Sequence, residues 1–310
     1  MEDPAGSRTL NDRQALDIPA GLQASLVLLR HGESMAIVEG RFQGRLETPL
    51  SPLGRRQAEL AGSRLATPTI PPRIPVPGRP PVEVRHSPLG RAAETAEAAA
   101  VALRRVHGEK AVPAIRPDPG LVEIAQGAWE GLHRDEVIAH YPAELEAWRL
   151  RPAEANAPGG ESIPAAAERI RDSLRRAIAA LTEAVPGAGP DRTSVGGYPA
   201  GHGSDTPWSL LVGHDGIFKV ALLTLLDLPL ERFWTFPWGL TGITVVEFVS
   251  GRAILRAHNL TDHLAPLQAG TPDAGPVEPG TAAAESRSED AAAESRSEDA
   301  AAERERTGSL

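Results

Sequence analysis

Apolar positions along the chain switch between two periods. Residues 25–30 (SLVLLR) form a short unbroken apolar run, the pattern of a strand buried on both faces of a parallel sheet. Residues 52–66 carry the helical period, with Ser51 as N-cap ahead of Pro52 at the first helical position. Residues 81–86 alternate through Val82 and Val84 and predict a strand, and the Ala- and Glu-rich residues 88–106 predict a long helix. Helices are expected over 134–149 and 161–184, with Pro142 interrupting the first. Residues 186–207, dense in Gly and Pro, predict a long loop. A second apolar run at 208–212 predicts a strand, 216–226 a helix, and 243–249 with 253–258 a hairpin turning at Ser250 and Gly251. Strands separated by helices predict one α/β domain with a largely parallel sheet.

The two ends depart from this pattern. Residues 1–23 are polar and partly acidic and predict a flexible arm; they lack the apolar stretch of a signal peptide. From residue 265 the chain becomes low in complexity, with AAAESRSED at 282–290 and again at 291–299. With almost nothing apolar to bury, 265–310 is expected to be a disordered tail, leaving 24–264 as the folded domain.

Hydrophobic residues make up 41% of the 310 positions but aromatics only 4%, so the core must be mostly aliphatic. The net charge of −9, two thirds of it in the tail, argues against a general nucleic-acid or membrane-surface binder. The absence of cysteine excludes disulfides, thiolate metal sites and a cysteine nucleophile. The apolar stretch near 220–230 is broken by Thr224, Asp227 and Pro229 and is too short to cross a bilayer, so a cytoplasmic protein is expected. Arginine greatly outnumbers lysine, which reads as coding bias. A homodimer paired through the hairpin edge is compatible with the pattern but not demanded by it.

Ligands of such sheets lie at the carboxyl ends of the strands. There the first strand meets Arg30-His31-Gly32-Glu33, the second Ser87-Pro88-Leu89-Gly90-Arg91, and the third Gly213-His214-Asp215-Gly216. If these strands are neighbours, two histidines and two arginines converge. That set suits phosphoryl transfer: guanidinium groups clamp phosphate oxygens in a planar fork, and a neutral imidazole attacks phosphorus. A second histidine, if protonated, adds charge and a donor to the same oxygens, and the helix beginning near Gly216 aims amide N–H groups at the anion. An acid must still protonate the leaving alkoxide. Glu33 is a second candidate acid or a helix-start carboxylate. His133, His140, His202, His258 and His263 show no metal-ligand spacing, and Gly159-Gly160 lacks the context of a nucleotide-binding loop, so neither metal nor cofactor is expected. Trp234, Phe236 and Trp238 are candidates for a hydrophobic substrate wall; the other tryptophans are expected to pack.

The segment Leu28-Leu29-Arg30-His31-Gly32-Glu33-Ser34 resembles the RHG signature of the histidine phosphatase superfamily, which includes the cofactor-dependent phosphoglycerate mutases. Further matches follow in that family's order: Arg41-Phe42-Gln43-Gly44; Thr48-Pro49-Leu50-Ser51 with Gly54; Ser87 to Ala92 with Glu94-Thr95-Ala96; Leu121-Val122-Glu123-Ile124 with Gly127, Trp129, Glu130 and Gly131; Pro158 to Ser162; Val212-Gly213-His214; and His258-Asn259 with His263-Leu264. The resemblance covers residues 26–264 and implies a three-layer, phosphoglycerate mutase-like α/β sandwich with a mostly parallel sheet. It implies His31 as nucleophile, Arg30 and Arg91 as phosphate-binding arginines, His214 as the second pocket histidine and Glu123 as proton donor. The substrate is then a small phosphorylated metabolite.

The chain departs from the family at three places. Ile37 stands where Asn is frequent, Asp215 follows the second histidine where Gly is usual, and His86 stands where Ser is common. A carboxylate at 215 should repel substrate unless it points away or bonds to an arginine. Three readings follow: a phosphomonoester hydrolase; a phosphoglycerate mutase; or a weak phosphate-binding module crippled at Ile37 and Asp215. In the mutase branch a long basic insert precedes the helix that 161 begins. Here 130–161 is short and holds only Arg134, Arg149 and Arg151, which favours hydrolysis.

Overall fold

The run SLVLLR lies in β1 (Ala24–Arg30), and its side chains divide between two cores. Leu26 and Leu28 join the apolar cluster on one face of the sheet, Val27 and Leu29 the cluster on the other. A strand apolar on both faces needs cover on both, and the helices provide it. The computed structural model describes residues 16–185 and 205–268.

β2 (Glu83–His86) and the short β3 (Ile115–Pro117) run parallel to each other. β4 (Trp208–Gly213) lies between β2 and β1, parallel to both. β5 (Ile243–Val249) pairs antiparallel with β1 and β6 (Arg252–Leu260) antiparallel with β5, the expected hairpin. The sheet order is β3-β2-β4-β1-β5-β6, mostly parallel. Ser250 and Gly251 both take positive φ, 50° and 72°, as the tightest hairpin turns require.

Between β1 and β2 lie α1 (Met35–Val38) and α2 (Pro52–Ala66), and α3 (Gly90–His107) follows β2. Ser51 caps α2 as expected, its Oγ accepting the Gly54 N–H at 2.9 Å. After β3 come α4 (Arg134–His140), α5 (Pro142–Leu150) and α6 (Ile163–Ala184). Pro142 separates α4 from α5, because proline opens a helix but cannot continue one. α7 (Asp215–Leu225) follows β4, and α8 (Ala265–Gln268) follows β6. α2 and α3 cover one face through Ala61, Leu65, Ala96 and Leu103; α6 and α7 cover the other through Ile170, Leu174, Val220 and Leu222. The result is the three-layer sandwich.

β3 was not expected, since three residues ending in proline carry too little pattern to register. The arm expected over 1–23 needs correction over 16–23. Leu22 is buried, and Leu16 and Ile18 pack on the α6–α7 core, so burial of these spaced apolar residues holds the segment down. Residues 1–15, the loop at 186–204 and the tail from 269 lie outside the described residues.

What matters for chemistry is the shared edge. Arg30 pairs with Gly213 and His86 with Val212, so β1, β4 and β2 end side by side. The ladder continues one step further: the His31 N–H donates to the Gly213 carbonyl and the Ser87 N–H to the Val212 carbonyl, each at 2.9 Å. Three reactive segments are therefore fixed at one carboxyl-terminal edge.

Candidate active site

His31 leaves β1 buried. A Cβ at Gly32 would collide with the Gly54 carbonyl oxygen, so only glycine lets this segment press against the head of α2. His31 Nδ1 lies 2.6 Å from the Gly32 carbonyl oxygen. A carbonyl can only accept, so Nδ1 carries the hydrogen and the Nε2 lone pair is left free. His214, fully buried past β4, places its ring 5.0 Å from that of His31 at 62°. Its Nε2 lies 2.7 Å from Ser87 Oγ. Burial above all, then the charges of Arg91 and Arg30, hold His31 well below the usual histidine pKa. His214 is depressed in the same way by burial, then Arg91, His31 and Arg30. In the free site both rings are neutral, which removes the protonated form of His214 that the sequence left open.

Arg91, in the first turn of α3, is 1% exposed. Its Nη1 and Nη2 donate to the Leu46 and Gly44 carbonyls, both at 2.9 Å, which fixes the plane of the guanidinium. Arg30 Nη1 donates to the Trp238 carbonyl. The Nε atoms of both arginines, and Nδ1 of His214, are buried without a hydrogen-bond partner. Buried donors left open in this way fit a ligand anion. Thr95, one turn beyond Arg91, donates to the Arg91 carbonyl at 2.7 Å and accepts the Gly32 N–H at 3.2 Å, tying α3 to the His31 segment.

Glu123 reaches the site from a loop outside the sheet. Its Oε1 accepts N–H groups from Ile124 and Ile217, each at 2.9 Å, and its Oε2 accepts that of Gly216 at 3.1 Å. The carboxyl therefore caps α7. The Gly216 N–H, which sequence reasoning assigned to phosphate, is directed at Glu123 instead. Burial raises the Glu123 pKa above its ordinary value; the Ile124 N–H opposes this, Asp215 reinforces it, and the Gly216 N–H and Arg91 oppose it. Arg169 on α6 holds the loop by donating to the Gly120 and Val122 carbonyls, both at 2.8 Å, while gripping Glu161 at 2.9 and 2.7 Å. Arg45 donates from Nε to the Glu123 carbonyl at 3.1 Å and pairs with Glu161 at 3.0 Å.

Asp215 does not bond to an arginine; its Oδ2 pairs with Lys219 Nζ, one turn along α7, at 2.7 Å. Glu33 accepts from Ser51 Oγ at 2.6 Å beside the α2 cap, the position of a helix-start carboxylate. The three aromatic residues before β5 do not form one wall: Trp238 is core, Phe236 stacks edge-on with His258, and Trp234 lies against Trp148, Phe233 and Lys219. Among the described residues, no group of three or more His, Asp or Glu side chains could hold a metal ion, and no helix is long and apolar enough to cross a membrane. Sequence reasoning gave no role to Ser87, Thr95, Arg45 or Arg169. Ser87 and Thr95 sit inside quoted motifs and were within reach; Arg45 and Arg169 act on backbone carbonyls, which no side-chain pattern announces.

The chain is similar to known proteins. The family model of the histidine phosphatase superfamily (branch 1) matches residues 26–185 and 197–261. Phosphoserine phosphatase 1 of Hydrogenobacter thermophilus is 28% identical over 240 residues, 77% of this chain and 93% of that protein. Glucosyl-3-phosphoglycerate phosphatase of Mycobacterium tuberculosis is 33% identical over 208 residues, 67% of this chain and 78% of that protein. The solved structure of a mycobacterial glucosyl-3-phosphoglycerate phosphatase complexed with VO3 superposes with a TM-score of 0.57 at 30% identity, covering 76% of this chain and 98% of the other. The chain belongs to the histidine phosphatase superfamily.

Proposed function

We propose that the chain hydrolyses the phosphomonoester of a small metabolite through a phosphohistidine on His31, without a metal ion. The observation that carries this reading is the pair of imidazoles, 5.0 Å apart, both held neutral by burial first and then by the charge of Arg91 and Arg30. A neutral imidazole is a nucleophile, and two fixed guanidinium groups are a receptor for a phosphate dianion.

In the first step the Nε2 lone pair of His31 attacks phosphorus in line. The ester P–O bond breaks, its electron pair leaves on the alkoxide, and Glu123 gives that oxygen its proton. The Nδ1–H directed at the Gly32 carbonyl supports the charge that develops on the ring. Arg30, Arg91 and the neutral His214 serve the equatorial oxygens. In the second step water attacks phosphorus, the Glu123 carboxylate takes its proton, and the P–N electron pair returns to Nε2. Gly216 acts through Glu123, by fixing the carboxyl. Hydrolysis is preferred to mutase chemistry because the relatives named above are phosphatases and because 130–161 is short. Within it, Arg151 already pairs with Glu154.

The test is phosphate release from p-nitrophenyl phosphate, 3-phosphoglycerate and phosphoserine, with wild type beside His31→Ala. Release by wild type that the variant loses is expected. Release that survives the substitution overturns the covalent route, and interconversion of phosphoglycerates without release establishes the mutase.

A further inference from the structure

Asp215 stands where the family's pattern carries glycine, between His214 and the two amides that hold Glu123. We propose that Asp215, restrained by Lys219, is a positioning residue for the general acid, setting the charge balance at the head of α7 so that Glu123 holds its proton until the leaving group needs it. The inference rests on the reading of Glu123 as proton donor.

The other groups around Glu123 act mostly against that task. From α7 the N–H groups of Gly216 and Ile217 point at the carboxyl, and a helix N-terminus favours an anion. From α3 comes Arg91, from the 41–46 segment Arg45 on the Glu123 carbonyl, and from α6 Arg169 on the Val122 carbonyl. The neighbouring imidazoles of His31 and His214 are neutral. Glu161 is spent on Arg169 and Arg45. Those groups favour the charged form, and a deprotonated Glu123 cannot assist the first step. Desolvation is the largest effect and outweighs them, so the carboxyl is raised, and Asp215 is the anion that adds to it.

The geometry keeps that anion in place. Lys219 is 7% exposed at its side chain, with Nζ 4.9 Å from the Trp234 ring and 5.5 Å from that of Phe233. Its ammonium is pinned, so it holds Asp215 Oδ2 at 2.7 Å. The other oxygen, Oδ1, is buried without a hydrogen-bond partner. The Asp215 side chain is 30% exposed, so water screens part of its charge, but with one oxygen fixed and the other turned inward a short-range field toward Glu123 is kept. Lys219 is also the counterweight: it draws part of that field to itself, so Asp215 acts on the acid without repelling the incoming phosphate at full strength.

The experiment is the pH dependence of kcat/KM for an alkyl ester, 3-phosphoglycerate, in wild type, Glu123→Gln, Asp215→Asn and Lys219→Met, with thermal melts as the folding control. Glu123→Gln is read first. A loss of about 10²-fold or more is expected for removal of a general acid, and retained activity overturns both the donor assignment and the inference built on it. If the donor stands, Asp215→Asn moves the high-pH limb to lower pH by about one unit. Lys219→Met, which frees the Asp215 charge, moves it to higher pH. An unmoved limb in Asp215→Asn, or limbs that move the same way in both variants, overturns the inference, because a merely structural pair has no reason to shift the acid in opposite directions.

Discussion

Arg91→Lys separates the shape of the phosphate clamp from its charge. The guanidinium of Arg91 spends two N–H groups on the Gly44 and Leu46 carbonyls, both at 2.9 Å, and keeps its Nε buried without a hydrogen-bond partner. An ammonium carries three hydrogens on one atom and cannot bridge two carbonyls and a phosphate at once. Two costs follow, and they are measured separately. Buried carbonyls losing charged donors destabilise the fold, at about 1.5–3 kcal/mol per bond before partial compensation by the ammonium. Loss of one charge-assisted contact in the transition state costs a similar amount, about 3 kcal/mol at the upper end, which is about 10²-fold in kcat/KM. The assay is kcat/KM on 3-phosphoglycerate, with thermal denaturation of the same samples. A melting temperature that falls while kcat/KM stays within about threefold would refute the reasoning. It would make Arg91 a clamp for the 44–46 segment and nothing more.

Three further outcomes are expected. In Gly216→Ala the new Cβ would lie 2.7 Å from Glu123 Oε1 and displace the carboxyl, so turnover of an alkyl ester falls about tenfold or more while p-nitrophenyl phosphate, with its good leaving group, is spared; equal loss on both contradicts the role given to Glu123. His263, buried and 3.2 Å from Thr241 Oγ1, is held down to about 4 by burial, with Arg64 adding and Asp262 opposing. The unfolded chain therefore takes the proton first: stability is full above pH 6.5 and falls between 6.5 and 4, by about 3 kcal/mol at most, and His263→Gln should flatten that slope in melts across this range. Dialysis against EDTA should leave phosphatase activity intact, and activity lost and then restored by an added divalent ion contradicts the metal-free mechanism.

Much of this arrangement was legible in the sequence because burial writes itself into the pattern. β1 and β4 are apolar on both faces and read as central strands, and Ser51-Pro52 marks the head of α2. The strand ends then pointed to Arg30, His31, Arg91 and His214. β3 was not legible, since its three residues leave no period to detect. The anchoring of 16–23 was hidden because its apolar side chains, Leu16, Ile18 and Leu22, are few and interrupted by Asp17, Pro19 and Gly21. The direction of the Gly216 N–H was not legible either. It depends on Glu123 arriving from a loop some 90 positions away in sequence, a contact set by Arg169 and Arg45 holding backbone carbonyls. Asp215 read as an obstacle to substrate because its partner, Lys219, becomes visible only once α7 is built.

The central claim, a phosphoryl group carried on His31, is tested most directly by rapid quench. Enzyme mixed with a phosphate-labelled ester and stopped within the first turnover should carry protein-bound label that survives alkali and is lost in acid, mapped to the peptide containing His31 and absent from His31→Ala. Phosphate released by wild type with no such label at any quench time, or label that persists in His31→Ala, would contradict the account.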